Sequence, residues 1–498
     1  MKKGIVVFTL SVLCLFLACN VSFAWQNGYS KRKLIQQKRF ERIFKLMQKW
    51  KYKGVTQREL TDLEKLGKLI YEDLNLSSGS NQACASCHNQ SAKFADPDNV
   101  IAPVFRPVSQ GSDGFSFGGR NAPTASYSGF SPKLHWNTDD ELFIGGVFWD
   151  GRASGQPTTA TATGAELEDT DPTGDPIADQ AKGPFLNPIE MNLQTLEDVV
   201  NTVMTSDYRR NFLKMYGNEI CEGYRPYRPN QCSNIDVPLA YNKIATAIAA
   251  FERSPELNKF NSRFDMFVKE QGGDVSEFGV YIESDGFRTY VGPPAHFKSR
   301  FLTYDEADGL ALFNADSDVQ MNGPSDNAGG MCYLCHLTTA HDADYGDNST
   351  QTPGLYPPLL TDFSYDNLGI PQNPRVIELT NGDPDKKDLG LGGSDRGAEL
   401  SSYAPDTGWA LADEEGKFKV STLRNIAETA PYGHNGYFPD LYSIVHFYNT
   451  RDVEGGDFFG KVDAEVPGTV NGDELGNLGL SFEQEKKLVL FLKTLTDQ

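Results

Sequence analysis

The chain has 498 residues, is 39% hydrophobic, and carries a formal charge of −21 from 67 Asp and Glu against 46 Lys and Arg. That length supports two domains with separate cores. The acidic balance excludes nucleic acid as a natural partner and suits small molecules or basic proteins.

In chain order, Met1-Lys2-Lys3, an apolar run from Ile5 to Ala18 and Ser22-Phe23-Ala24 read as a signal peptide over 1–24, cleaved before Trp25. The run is short of the ~20 residues a membrane anchor needs. The mature chain is therefore expected in the periplasm. Phe16-Leu17-Ala18-Cys19 offers a second reading, a lipoprotein site that would tie the protein to a membrane through Cys19. Residues 25–53 then carry ten Lys or Arg against the single acid Glu41. Phe40, Ile43, Phe44 and Met47 fall at helical spacing there, which predicts a basic amphipathic helix. It would dock on a membrane, a partner or the acidic body of its own chain, the last being favoured.

Leu63, Leu66, Leu69 and Ile70 mark a first helix ahead of Cys84-Ala85-Ser86-Cys87-His88. Gly-, Ser- and Pro-rich sequence runs on to about residue 135, as in chain that wraps a cofactor. Helical spacing returns from Val237 to Lys269 with Ile244, Ile248 and Phe251 on one stripe, and 271–300 reads as an insertion or linker. A further helix starts at Tyr304 and leads through Leu310 and Phe313 to Cys332-Tyr333-Leu334-Cys335-His336. Long loops follow from His341 to Gly416, then helices over Pro439–Tyr448 and Ser481–Leu495. Alternation of period two is scarce. The expected class is mainly α with long loops and insertions, in two domains over 54–300 and 301–498.

The two C-x-x-C-H pentapeptides carry the chemistry. Each thiol adds to one haem vinyl group and the adjacent histidine ligates the iron, which is the attachment signature of c-type haem. Composition alone yields roughly 0.002 such pentapeptides by chance. A shared Cys₄ zinc site is the competing reading, but it requires no histidine after either pair. Two covalent haems are expected, on Cys84, Cys87 and His88 and on Cys332, Cys335 and His336. Of eight cysteines, Cys14 and Cys19 leave with the signal and four hold haem, so Cys221 and Cys232 remain to form a disulfide. Two free structural thiols are the alternative.

Several phrases occur together with these motifs: Gly119-Arg120-Asn121-Ala122-Pro123-Thr124, Phe148-Trp149-Asp150-Gly151-Arg152, Asn187-Pro188-Ile189-Glu190-Met191, and Leu423-Arg424-Asn425 with Ala430-Pro431-Tyr432. As a set, over most of residues 60–495, they make the chain resemble the bacterial di-haem cytochrome c peroxidase and MauG family. The resemblance implies two cytochrome c-like haem domains, 54–300 the N-terminal peroxidatic one and 301–498 the C-terminal electron-transfer one, with Glu190 as the distal acid–base carboxylate for peroxide, Gln180 as its amide neighbour and Trp149 between the haems. It implies a calcium ion between the domains, held by Asn121 and the carbonyls of Thr429 and Pro431. Asp316-Ser317-Asp318 is a competing cation site. His434 is expected near the haem groups, hydrogen-bonded to a propionate.

Two departures from the family's pattern matter. Phe115-Ser116-Phe117-Gly118-Gly119 occupies the place of the histidine that caps the first iron, so that iron is expected to be five-coordinate. No methionine follows Met331, and Tyr448 falls where the second iron's distal ligand is expected, with His446 as the alternative. The expected partners are hydrogen peroxide and either a small redox protein as electron donor or a protein substrate, with a homodimer as an admissible assembly. A pure electron-transfer cytochrome is the reading from another class.

Overall fold

The computed structural model describes residues 58–156, 173–226, 232, 234–284, 286–317, 319–320, 328–338, 357–393, 395–404 and 408–498. The signal and basic segments, Cys14, Cys19 and Asp318 lie outside the described residues. Among those described there are nine helices of eight residues or more. They are α1 (Asp62–Tyr71), α2 (Pro176–Leu186), α3 (Leu196–Thr205), α4 (Arg209–Ile220), α5 (Val237–Glu252), α6 (Arg263–Glu270), α7 (Tyr304–Asn314), α8 (Leu441–Thr450) and α9 (Phe482–Lys493). The sheet content among the described residues is four antiparallel two-stranded ribbons, β1 (His135–Asn137) with β2 (Leu142–Ile144), β3 (Cys221–Glu222) with β4 (Asn234–Ile235), β5 (Val280–Ile282) with β6 (Arg288–Tyr290), and β7 (Tyr365–Asp366) with β8 (Phe418–Lys419).

One local design occurs twice. Helix α1 begins with a capping box in which Thr61 Oγ1 accepts from the Glu64 amide at 3.2 Å and Glu64 accepts from the Thr61 amide at 2.7 Å. Helix α7 repeats it with Thr303 and Glu306 at 3.3 and 2.8 Å. Each box satisfies two amides that a helix start leaves unpaired. Each box glutamate also receives an arginine, Arg58 in the first half and Arg263 in the second. Helix α1 then crosses α5 at Gly67, where a Cβ would collide with the Ala247 carbonyl and the Phe251 side chain. Helix α7 crosses α9 at Gly309, where the obstacles are the Lys487 carbonyl and Phe491. Beside the crossings, Tyr71 meets Phe251 edge-on at 5.1 Å and Phe313 meets Phe491 at 5.2 Å. In chain order each C-x-x-C-H stretch thus falls between the two helices of its pair.

The cores follow from these crossings. The first gathers Leu66, Ile70, Ile244 and Ile248 with residues of α2, α3 and α4, and the second gathers Leu310, Phe313, Leu488 and Phe491. Phe264 and Phe267 of α6 belong to the second core, and Phe278 and Phe297 pack on Phe267 at 5.3 and 6.1 Å. By packing, the change of core falls near residue 260, ahead of the expected 300/301 boundary. Residues 271–300 are part of the second core rather than a linker, and carry the β5–β6 ribbon. The expected continuous helix from Val237 to Lys269 is two helices, because Ser254-Pro255 follows the α5 cap at Arg253 and a residue before proline disfavours helix.

A buried ion pair of the second half meets the first half at Tyr127. Arg424 donates to both Asp265 oxygens at 3.0 and 2.7 Å, each side chain 1% exposed. Its guanidinium also lies over the rings of Phe260 and Tyr127, and the Tyr127 hydroxyl donates to Asp497 at 2.6 Å. Cys221 and Cys232 form a disulfide that ties the end of α4 to the strand leading into α5.

Candidate active site

The first C-x-x-C-H motif is a single helical turn, Cys84–Cys87, with the His88 amide bonded back to the Cys84 carbonyl at 2.9 Å. His88 Nδ1 faces the Phe94 carbonyl at 3.2 Å, and the His88 carbonyl accepts from the Tyr71 hydroxyl at 3.0 Å. In the second motif the His336 amide reaches the Cys332 carbonyl at 2.8 Å, and His336 Nδ1 faces the Leu360 carbonyl at 2.8 Å. A carbonyl partner at Nδ1 requires the proton there and leaves the Nε2 lone pair for a metal. Desolvation lowers the pKa of both imidazoles, favouring the neutral, ligating form. These donor sets fit a c-type haem at each motif.

The cleft at the second motif is lined by Cys332, Cys335, His336 and Tyr448, with Trp149 and Asn121 reaching in from the first half. Tyr448 thus faces the space beside His336. His446 does not: Nδ1 is 2.8 Å from Glu485 and Nε2 is 3.1 Å from Asp457. Desolvation opposes its protonation, yet these carboxylates together raise its pKa.

Trp149 belongs to both halves. Its Nε1 donates to the Asn121 carbonyl at 2.8 Å, and its own carbonyl accepts from the Lys419 amide at 2.8 Å. The turn after it is fixed by Asp150, which accepts from Arg120 at 2.6 Å and Arg152 at 2.9 Å. Burial alone would raise the Asp150 pKa, but Arg120, Arg152 and Arg396 hold it well below the usual carboxylate range. Gly151 adopts φ +69°, and a side chain there would strike the Tyr365 hydroxyl. Glycine is what lets the chain turn under the indole.

Glu190 sits in the loop after α2. Its amide bonds the Asn187 carbonyl at 3.0 Å, its carbonyl accepts from the Ser112 amide at 2.8 Å, and its carboxylate accepts from Asn187 Nδ2 at 2.9 Å. It lies near enough to Cys84 and Cys87 for its charge to raise the pKa of both thiols, after burial and nearer acids. Gln180 is half-buried on α2. The stretch around Phe115-Ser116-Phe117-Gly118-Gly119 is a tight hairpin, with Gly111 to Ser116 and Gly118 to Ser109 amide–carbonyl bonds of 2.9 Å, and Phe115 at its tip is 86% exposed. His135, the next histidine along the chain, is engaged at Nδ1 by the Lys133 carbonyl at 2.8 Å.

Asn121, Thr429 and Pro431 line the same cleft, and Asn121 Nδ2 is committed to the Pro107 carbonyl at 3.0 Å. The competing acid Asp316 is taken by the Tyr333 hydroxyl at 2.8 Å and the Arg288 amide at 3.0 Å. His434 is buried in the cleft wall, stacked on Phe418 at 3.6 Å, with Nε2 3.3 Å from Glu465.

Several residues of the site carried no sequence signal. Lys419 Nζ donates to the Gly146 carbonyl at 2.7 Å, Ser131 Oγ at 2.8 Å and the Gly145 carbonyl at 3.1 Å, and desolvation pulls its pKa down to about 7. Asp366 and Glu474 converge near Cys335, bridged by Asn471 Nδ2 at 2.6 and 2.9 Å. Only the fold brings these distant positions together.

A family profile described as di-haem cytochrome c peroxidase matches residues 61–273. The chain is 27% identical over 452 residues to the methylamine utilization protein MauG of Paracoccus denitrificans, covering 88% of this chain and 89% of that one. It is 24% identical over 448 residues to the cytochrome c551 peroxidase of Nitrosomonas europaea, covering 89% and 82%. The crystal structure of the diheme peroxidase BthA from Burkholderia thailandensis aligns with TM-score 0.61 at 25% identity, over 89% of this chain and 88% of that one. With paired haem anchors on a duplicated helix crossing, these likenesses define a c-type di-haem oxidoreductase. Along most of its length the chain is similar to di-haem cytochrome c peroxidases and MauG, di-haem oxidoreductases that act on peroxide, and such proteins carry two c-type haems. Among the described residues no helix is long and apolar enough to cross a membrane.

Proposed function

We propose that this protein reduces hydrogen peroxide at the haem of Cys84, Cys87 and His88, with electrons arriving through the haem of Cys332, Cys335 and His336 and through Trp149. One asymmetry carries the reading. Glu190 stands beside the first anchor, where no histidine follows His88 before His135, whereas Tyr448 lines the cleft of the second. A haem held by Cys84, Cys87 and His88 would supply the iron at which peroxide is reduced. Glu190 takes the proton from the near peroxide oxygen and returns it to the far one, so that the bond breaks without separating charge. Asn187 Nδ2 fixes one carboxylate oxygen for that exchange, and Gln180 orients the substrate. Trp149, tied to Asn121 on one side and Lys419 on the other, is the rigid bridge between the halves.

A calcium ion is part of the proposal. Asn121 Oδ1, freed by the Nδ2 bond to Pro107, and the Thr429 and Pro431 carbonyls are the hard oxygen donors such an ion takes. Export to the periplasm is included too, supported by the apolar leader and by the Cys221–Cys232 disulfide, which belongs to an oxidising compartment.

Tyr448 favours a second reading, a MauG-like oxidase that uses peroxide to modify side chains of a partner protein. An anionic oxygen ligand stabilises ferric iron where a thioether raises the potential, making the second haem a poor entry port for electrons. Steady-state assays with hydrogen peroxide and a reduced small c-type cytochrome separate the two. Rapid oxidation of that donor supports the peroxidase, and a fast reaction with peroxide alone but negligible donor oxidation supports the partner-modifying role. Peroxide inertness of a ferric protein with two six-coordinate low-spin haems would leave only electron transfer.

Replacing Tyr448 with Phe is expected to convert the second haem to a five-coordinate high-spin form, one additional high-spin haem per chain by electron paramagnetic resonance, without loss of covalent haem. An unchanged spectrum removes Tyr448 from the coordination sphere.

A further inference from the structure

Aligning the two helix crossings by register, Gly67 with Gly309 and Phe251 with Phe491, pairs Tyr71 with Phe313 and Glu252 with Leu492. In the second half both places are apolar and buried, Leu492 at 7% exposure. In the first half they hold a phenol and a carboxyl group, with Glu252 6% exposed at the end of α5. Tyr71 donates to the carbonyl of His88, and Glu252 lies close to both Tyr71 and Cys84. Burial raises the pKa of these two groups, and the next contribution to each is the charge of Glu252. The carboxyl group is therefore set against the haem anchor of one domain only.

No cation is dedicated to it. The adjacent Arg253 is held by Asp175 through two bonds of 2.6 Å and by the Gly129 carbonyl at 3.1 Å. Asp175, at the start of α2, adds a second negative charge to the surroundings. Lys68 of α1 bonds Glu256 at 2.6 Å, Lys182 of α2 sits 3.3 Å from Asp179, and Asp198 of α3 and Glu219 of α4 are exposed. Among the described residues no hydrogen bond reaches the Glu252 carboxyl oxygens. Burial pushes its pKa up to about 8 despite Arg253, so a modest change in nearby charge suffices to change its protonation near neutral pH.

We propose that Glu252 is the proton-holding group of the N-terminal haem, binding one proton when that haem accepts one electron and releasing it on reoxidation, while Leu492 denies the C-terminal haem this coupling. The step balances. One electron comes from a one-electron donor, one proton comes from solvent to the carboxylate, and the charge around Cys84 stays constant. In a low-dielectric surround that compensation eases electron entry. The inference rests on haem attachment at Cys84–His88 and not on peroxide chemistry, so its test is independent of turnover.

The test is spectroelectrochemical titration of each haem in the intact holoprotein at a series of pH values. The N-terminal midpoint potential is expected to fall as pH rises through the region around 8, while the C-terminal one stays level. Glu252→Gln should flatten the N-terminal profile. A slope that survives in this variant, a flat wild-type profile, or equal slopes at both haems overturns the proposal. Should the variant fail to load haem, infrared difference spectra of the wild type decide the matter. The step that reduces only the N-terminal haem should add a carboxylic C=O stretch that shifts in heavy water, and its absence overturns the assignment.

Discussion

Glu190→Gln is expected to slow peroxide cleavage by about 10²–10⁴-fold, the range over which a positioned acid–base group acts, with both haems retained. The amide keeps the size of the side chain and can still meet Asn187, so the loop held by the Asn187 and Ser112 backbone bonds should stand. What is lost is the ability to accept a proton and return it. Stopped-flow absorption under single-turnover conditions reads the effect directly, before any donor enters. Loss confined to steady-state turnover, with an unchanged first reaction, would move Glu190 out of the cleavage step.

Asp265→Ala should cost about 3–5 kcal/mol of stability, because it strands the Arg424 guanidinium at 1% exposure with no carboxylate to answer it. The same substitution removes the side chain that accepts from Ser262 at the start of α6, a loss of about 1 kcal/mol by itself. Calorimetry of the holoprotein should show the larger drop, and the double variant Asp265→Leu with Arg424→Met should recover much of it by burying no charge. Equal losses in the single and double variants would mean that the pair matters for shape rather than for charge.

The haem anchors were legible because the chemistry is written within five consecutive residues. The mainly helical class followed from periodicity. Helices α2, α3 and α4 were not anticipated: α2 contains Pro184 inside its run, and α4 mixes Arg209, Arg210, Lys214 and Asn218 among its apolar positions. Packing against α5 outweighs those weak local preferences. The break between α5 and α6 did have a signal in Ser254-Pro255, which the apolar stripe on either side obscured. Lys419, the Asp366–Glu474 pair and the Phe418 stack on His434 had none, since each depends on chain segments far apart in sequence.

The pairing of Gly67 with Ala247, and of Gly309 with Lys487, also sets an order of events. Each cysteine pair lies between partners that meet only after a long stretch of chain has been drawn together, and closing such a span is an entropically costly, late event. Once it has happened, each thiol pair sits half-exposed beside the helices it joins. Attachment while the polypeptide is still open would spare each porphyrin from having to enter between packed helices.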